Sequence, residues 1–232
     1  MYNEFINIKT VFIDVDDTLL DFGRCASVSM RAAAAAAEIT LPEDFEALFH
    51  RVNNSLWKRV EGGSLTVPEL YKIRWNLIFG EAGIDFDGVA FENVFLKELA
   101  GSAEHVIGAE ELLEHLKSRN YVLYSASNAP QLQQEKRLAK AGFLNYFKEI
   151  FTSESVGAQK PSREFFEKAM ALGGVADKDS CVMIGDSFEA DISGAAAFGI
   201  KTVWVDRKGV SAEHPGVATR VVKELGEIKG LL

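Results

Sequence analysis

The chain has 232 residues, 47% of them hydrophobic, enough for one large domain or for a core carrying a smaller insertion. A formal charge of -9 argues against a general nucleic-acid surface, which needs a basic face, but leaves small anionic ligands open where cations gather in one cleft. Two distant cysteines, Cys25 and Cys181, lack the spacing of a zinc site or a disulfide framework and read as buried apolar residues.

No apolar run approaches the roughly 18 residues of a membrane span, and residues 1–9 lack the basic-then-apolar pattern of a signal peptide. The expected location is therefore the cytoplasm, with no membrane partner. Thr10 to Val15 is a short run of β-branched and aromatic residues broken only by Asp14, the pattern of a buried strand at the centre of a parallel sheet. Asp14 closes that strand, where open α/β sheets bind ligands. Asp14 and Asp16 are two residues apart, so an extended chain aims both to one side. Two close carboxylates repel unless a cation intervenes, which makes the pair costly as scaffolding. It suits chemistry with Asp14 as ionised nucleophile and Asp16 as proton donor. The plainer alternative is a turn following a strand, for which Asp and Thr are common residues.

From Asp21 to about Ala103 the pattern is helical. Ser27 to Glu38 holds six consecutive alanines, a closely packed helix. Glu43 to Glu61 spaces Phe45, Leu48, Phe49, Val52, Leu56 and Val60 at three and four, and Gly62-Gly63 ends it. Pro68 to Phe79 and Gly88 to Leu99 complete a small helical bundle.

From Gly108 helices and strands alternate. Helices are expected at Ala109–Ser118, Gln131–Ala141, Arg163–Leu172 and Asp191–Phe198, and strands at Tyr121–Ser125, Glu149–Thr152, Cys181–Ile184, Thr202–Val205 and Arg220–Val222. That is the rhythm of a parallel α/β sheet, which the Thr10 strand must join. The helical stretch is then an insertion, giving a core of residues 1–20 plus 105–232 and a cap of residues 21–104. Polar clusters follow three more strands: Ser127-Asn128, Lys160-Pro161, and Gly185-Asp186 with Asp191. Each alone is a helix cap or a surface residue. Together they place Asp14, Asp16, Ser127, Lys160, Asp186 and Asp191 after four strands of one sheet. Oxygen donors of this kind suit a hard cation, Mg²⁺ being the usual partner of carboxylate and phosphate.

With these motifs in order, the chain resembles a haloacid-dehalogenase-superfamily phosphohydrolase: a Rossmann-like parallel-sheet α/β core with an inserted all-α cap. Asp14-Val15-Asp16-Asp17-Thr18 matches the first motif, Ser127 the second, Lys160-Pro161 the third, and Gly185-Asp186 with Asp191 the fourth. The resemblance implies that Asp14 attacks phosphorus to form an aspartyl-phosphate, while Asp16 protonates the leaving oxygen and then activates water. It also implies that Ser127, Asn128 and Thr18 bind substrate, that Lys160 balances charge, and that Asp191 supports Lys160 or a metal-bound water. Mg²⁺ would be held by Asp14, the Asp16 main-chain carbonyl and Asp186. The sequence departs from the pattern at Ala129, where relatives often have glycine, and at Val106-Ile107-Gly108, which lacks a common proline.

Asp16 disfavours the dehalogenase branch, since a halide leaves without a proton. Asp21-Phe22, the stretch Leu56 to Thr66, Leu70 and Arg74 are similar to the branch of pyrimidine 5'-nucleotidases acting on nucleoside monophosphates. Phe22 or Trp57 could stack on a base, although Trp57 also reads as cap core and Lys58, Arg59 and Arg74 as solvated. The expected partner is a small phosphorylated metabolite, not nucleic acid. A phosphoglycolate or sugar phosphatase and a phosphomutase are the alternatives, and a non-catalytic binding module comes last. His50, His105, His115 and His214 show no ligand spacing and are expected at the surface. Hinges are expected near Leu20–Gly23 and Ala103–Gly108. Oligomeric state stays open between monomer and dimer.

Overall fold

The computed structural model describes residues 4–232, which form two compact units. One runs to Asp21 and resumes at Glu104; the other is Phe22–Ala103. Among the described residues no helix is long and apolar enough to cross a membrane.

The first unit is an α/β sandwich on a six-stranded sheet of β1 (Thr10–Ile13), β2 (Val122–Ser127), β3 (Glu149–Thr152), β4 (Cys181–Gly185), β5 (Lys201–Val205) and β6 (Arg220–Val222). All pairs are parallel in the order β3-β2-β1-β4-β5-β6. β1 lies between β2 and β4, pairing Ile13 with Ser125 on one side and Ile184 on the other. The Asp14 N–H continues the ladder to the Ile184 carbonyl at 2.9 Å. Strand order runs outward in both directions from β1, and such reversals open a crevice above the strand ends.

Alternation along the strands divides the apolar side chains between two faces. Val11, Ile13, Leu123, Val182, Ile184 and Val203 pack with Leu112, Leu113 and Leu116 of α5 (Ala109–Ser118) and Leu225 and Ile228 of α10 (Leu225–Ile228). Phe12, Tyr124, Phe151 and Met183 face the other way, onto Phe165, Phe166 and Met170 of α8 (Arg163–Gly173) and Phe198 of α9 (Gly194–Phe198). Helix α6 (Gln131–Lys140) and the single turn α7 (Ser153–Val156) complete this unit's α-helices.

Several boundaries differ from expectation, two of them at the ends of strands that carry the polar clusters. β2 runs through Ser127, so that residue ends a strand instead of following one. Helix α8 begins at Arg163 as expected, and Ser162 caps it, its Oγ accepting the Phe165 N–H at 3.2 Å. The helix expected from Asp191 begins as a wide π-helical turn at Phe188–Ser193, with the Ile192 N–H reaching back five residues to the Ser187 carbonyl.

The second unit holds α1 (Phe22–Ala36), α2 (Phe45–Glu61), α3 (Val67–Ala82) and α4 (Gly88–Ala100), with α4 against both α1 and α3, and α2 against α3. α1 starts five residues before the expected Ser27, because Phe22, Cys25 and Ala26 already continue its apolar face. Thr66 and Glu69 form a capping box at the start of α3. Gly88 lets α4 approach closely, since a Cβ there would sit 2.3 Å from the Asn76 nitrogen. Trp75 centres the core, with ring centroids of Phe91, Phe95, Phe49 and Phe79 at 4.5, 5.0, 5.3 and 5.6 Å. Edge-on and stacked pairs of this kind add to the burial energy. Trp57 is half-buried on this core, and Phe22 stacks on Phe49 at 6.4 Å.

Arg74 is not solvated but fully buried. Its Nε and Nη2 donate to the two Glu92 oxygens, Nε at 3.0 Å, and Nη1 donates to Asn53 Oδ1 at 2.8 Å. The guanidinium also lies 5.1 Å from the Phe95 ring centre. Burial pushes the Glu92 carboxyl up, against the opposing pull of Arg74. The histidines too are half-buried: His105 packs on Phe143 at 4.3 Å and His214 on Phe188 at 3.6 Å, because their ring faces find aromatic partners. Both cysteines are buried, as expected.

Removing one member of a buried ion pair strands the other's charge, at a cost of about 3–5 kcal/mol. Glu92→Ala is therefore expected to lower the urea midpoint sharply, while the double replacement Arg74→Met with Glu92→Leu recovers most of the loss; urea unfolding followed by tryptophan fluorescence compares the two.

Candidate active site

Asp14, Asp16, Thr18, Ser127, Asn128, Lys160, Asp186 and Asp191 all lie in the α/β unit, on or just beyond β1, β2, β3 and β4. Asp14 takes its position from the end of the β1 ladder and is nearly buried. Lys160 is 1% exposed, and its ammonium lies 2.8 Å from Asp14 Oδ1 and 2.5 Å from Asp191 Oδ1. Burial alone would lower the lysine's pKa, and the two carboxylates outweigh it and raise it, so the ammonium stays charged.

Asn128 holds the Lys160 backbone from both sides: its Oδ1 accepts the Lys160 N–H at 2.9 Å and its Nδ2 donates to the Lys160 carbonyl at 3.0 Å. The Lys160-Pro161 peptide bond is cis. Ser127 Oγ accepts the Ala129 N–H at 3.1 Å, so alanine following Asn128 is accommodated within a small side-chain turn.

Gly185 explains how Asp191 reaches the site. A Cβ at Gly185 would fall 2.2 Å from Asp191 Oδ2 and 2.6 Å from its Cβ, so only glycine leaves room. Asp191 Oδ2 accepts the Ser187 N–H at 3.0 Å while its Oδ1 faces Lys160. Asp186 is held at both ends: Thr18 Oγ1 donates to its Oδ1 at 3.3 Å, and Trp204 Nε1 donates to its carbonyl at 2.9 Å. Thr18 is itself fully buried. Arg207, after β5, donates to the carbonyls of Asp17 and Thr18 and ties that strand end to the turn after β1. Asp17 takes a left-handed φ of 58° in this turn.

Asp186 and Asp191 crowd Asp14. Oxygens of Asp14, Asp186 and Asp191 lie within 4.8 Å of one another. Burial pushes the Asp14 carboxyl well above the usual range; Lys160 opposes this, and Asp191 and Asp186 add to it. Burial, then Asp191 and Asp17, push Asp186 up to about 7. Three carboxylates facing one ammonium leave a negative excess that a divalent cation would neutralise, and an all-oxygen donor set fits a hard one.

The Asp16 carboxylate turns the other way. Arg137 Nη1 donates to its Oδ1 and Gln134 Nε2 to its Oδ2, the latter at 2.6 Å. Gln134 Nε2 also lies 2.8 Å from Ser127 Oγ. Neither residue belongs to the motifs that organise the sequence reading. A signal was present: Gln134, Arg137 and Leu138 share one helical face, and polar residues at positions that bury beside a leucine need a partner.

The site can thus present one carboxylate gripped by a buried ammonium, a second carboxylate held separately, and a cluster of excess negative charge suited to a cation. The pattern of haloacid dehalogenase-like hydrolases matches residues 8–199. The HAD-hydrolase YfnB of Bacillus subtilis is 32% identical over 95% of this chain and 94% of its own, and its magnesium-bound crystal structure superposes with a TM-score of 0.88 over 97% of this chain and 98% of that one. The pyrimidine 5'-nucleotidase PynA of Streptococcus pneumoniae is 33% identical over 84% of this chain and 83% of its own. A glyceraldehyde 3-phosphate phosphatase of Methanothermobacter thermautotrophicus is 27% identical over 97% of this chain and all of its own (100%).

Two stability predictions follow from the crowding. A carboxyl whose folded pKa is raised takes up protons more readily folded than unfolded, so stability falls as pH rises from about 4 toward 7 and levels off above the folded value. In EDTA the protein should therefore lose stability between pH 5 and 7 by urea unfolding, and Asp186→Asn should be the more stable protein at pH 8. Gly185→Ala should lower stability by about 1–3 kcal/mol, because the tethered Asp191 cannot yield to the added methyl. The thermal midpoint reads this directly. The family pattern spanning residues 8–199 and the 32% identity to YfnB over nearly the whole chain show that this chain belongs to the haloacid dehalogenase-like hydrolase family.

Proposed function

We propose that the chain is a Mg²⁺-dependent phosphatase of small phosphate monoesters, with pyrimidine nucleoside 5'-monophosphates as its substrate class. The observation that carries the reading is the Lys160 ammonium buried between Asp14 and Asp191, beside Asp186, with Asp16 held apart. The relationship to PynA supports the nucleotide, and the magnesium-bound YfnB structure supports the metal.

Asp14 attacks phosphorus and forms an aspartyl-phosphate as the bond to the leaving oxygen breaks. Asp16 supplies the proton to that oxygen, then takes one from the water that attacks the aspartyl-phosphate and releases phosphate. Lys160 keeps Asp14 oriented and offsets charge on the phosphoryl oxygens, which is most of what phosphoryl transfer asks of a protein. Ser127, Asn128 and Thr18 are the residues we assign to substrate binding, Ser127 through its hydroxyl, Asn128 chiefly by fixing Lys160, and the buried Thr18 only indirectly, through the Asp186 carboxylate that it holds. Asp14, Asp186 and the Asp16 main-chain carbonyl would hold Mg²⁺, with Asp191 supporting Lys160. When bound, the ion supplies positive charge that keeps Asp14 ionised and aligns the phosphoryl group. A sugar-phosphate specificity is the second reading, favoured by the full-length similarity to the glyceraldehyde 3-phosphate phosphatase.

Phosphate release from UMP, dUMP, dTMP, glyceraldehyde 3-phosphate and phosphoglycolate, with Mg²⁺ or EDTA, tests the proposal. The pyrimidine nucleotides should turn over fastest, only with Mg²⁺, and Asp14→Asn should lower turnover by at least about 10³-fold. A faster triose or glycolate phosphate would move the substrate and keep the chemistry; Mg²⁺-independent release, or full activity in Asp14→Asn, would overturn the mechanism.

A further inference from the structure

We infer that Gln134 and Arg137 are positioning residues for proton transfer by Asp16, an inference that rests on the phosphatase reading. Both side chains are fully buried, and their spacing of three on α6 puts them on one face. Each Asp16 oxygen receives one donor from that face, Arg137 Nη1 on Oδ1 and Gln134 Nε2 on Oδ2. Two donors on two oxygens fix the plane of the carboxylate as well as its place. Gln134 Oε1 lies 3.4 Å from Arg137 Nη1, so the two donors also brace each other.

The cost of this arrangement argues for its use. A guanidinium withdrawn from water is expensive, and an apolar side chain would fill the same face at no such cost. The Asp16 side chain nevertheless remains 27% exposed while Arg137 is 0% exposed, so the clamp is hidden and the clamped group remains open. An acid with one fixed orientation is what the leaving oxygen requires: the P–O bond breaks, its electron pair stays on that oxygen, and the Asp16 proton passes to it. Asp16 is left as a carboxylate whose new charge faces Arg137, which stabilises it as the proton departs. The water that later attacks the aspartyl-phosphate returns a proton to the same group. Gln134, shared between Asp16 and Ser127 Oγ at 2.8 Å, keeps acid and phosphoryl-binding hydroxyl in register.

The test compares two leaving groups. p-Nitrophenolate departs without a proton, whereas an alkoxide does not, and kcat/KM reports the step that forms the aspartyl-phosphate. Arg137→Met should lose about 10- to 100-fold more kcat/KM toward UMP or another alkyl monoester than toward p-nitrophenyl phosphate, and Arg137→Lys should show the same selectivity in milder form. Gln134→Met should add a rise in KM for both esters through Ser127. Equal losses on the two esters would mark Arg137 as merely structural and overturn the inference, as would an undiminished rate on the alkyl ester. Should Arg137→Met fail to fold by circular dichroism, the Lys variant decides by the same ratio. A wild-type protein inactive on both esters would instead sink the phosphatase reading, and this inference with it.

Discussion

One buried ammonium holds the site together. Lys160 touches Asp14 from β1 and Asp191 from the turn after β4, and its backbone is gripped by Asn128 from the end of β2. Three strand ends are thereby joined through one residue that itself follows β3. A lysine so withdrawn from water stays charged only because two carboxylates face it, and those carboxylates tolerate one another only because it is there. The interaction is mutual, and neither half would be stable alone.

The sheet order makes that junction possible. β2 and β4 flank β1 on opposite sides, so residues separated by more than a hundred positions converge above a single strand. The connecting elements then refine the placement. Gly185 clears the volume that Asp191 occupies, the π-helical turn at Phe188–Ser193 sets its angle, and Trp204 from β5 fixes the Asp186 backbone. The carboxylates divide into two electrostatic groups: Asp14, Asp186 and Asp191 form one cluster, whereas Asp16 pairs with Arg137.

Much of this was legible in the sequence because it depends on local signals. Short β-branched runs and helical periodicity mark the parallel sheet, and acidic or basic residues directly after those runs mark its ligand-binding edge. What escaped reading depends on tertiary partners. Arg74 looks like an exposed arginine until Glu92 and Asn53 are seen beside it. The pressure on Asp14 comes first from burial and then from Asp191 and Asp186, which lie far from it in sequence and beside it in space. Gln134 and Arg137 lay hidden in a helix whose overall polarity suggests solvent exposure.

The point where the chain leaves the α/β unit and the point where it returns are tied together. The Asp21 N–H donates to the Glu104 carbonyl at 2.8 Å, the Val106 N–H to the Leu19 carbonyl at 2.9 Å, and Leu20 and His105 form an antiparallel bridge. An inserted segment whose two ends are already pinned side by side imposes little loop-closure penalty on its host, whatever its length. The α/β unit can therefore accept helical inserts of different size and sequence at this one doorway while its own strands keep their register.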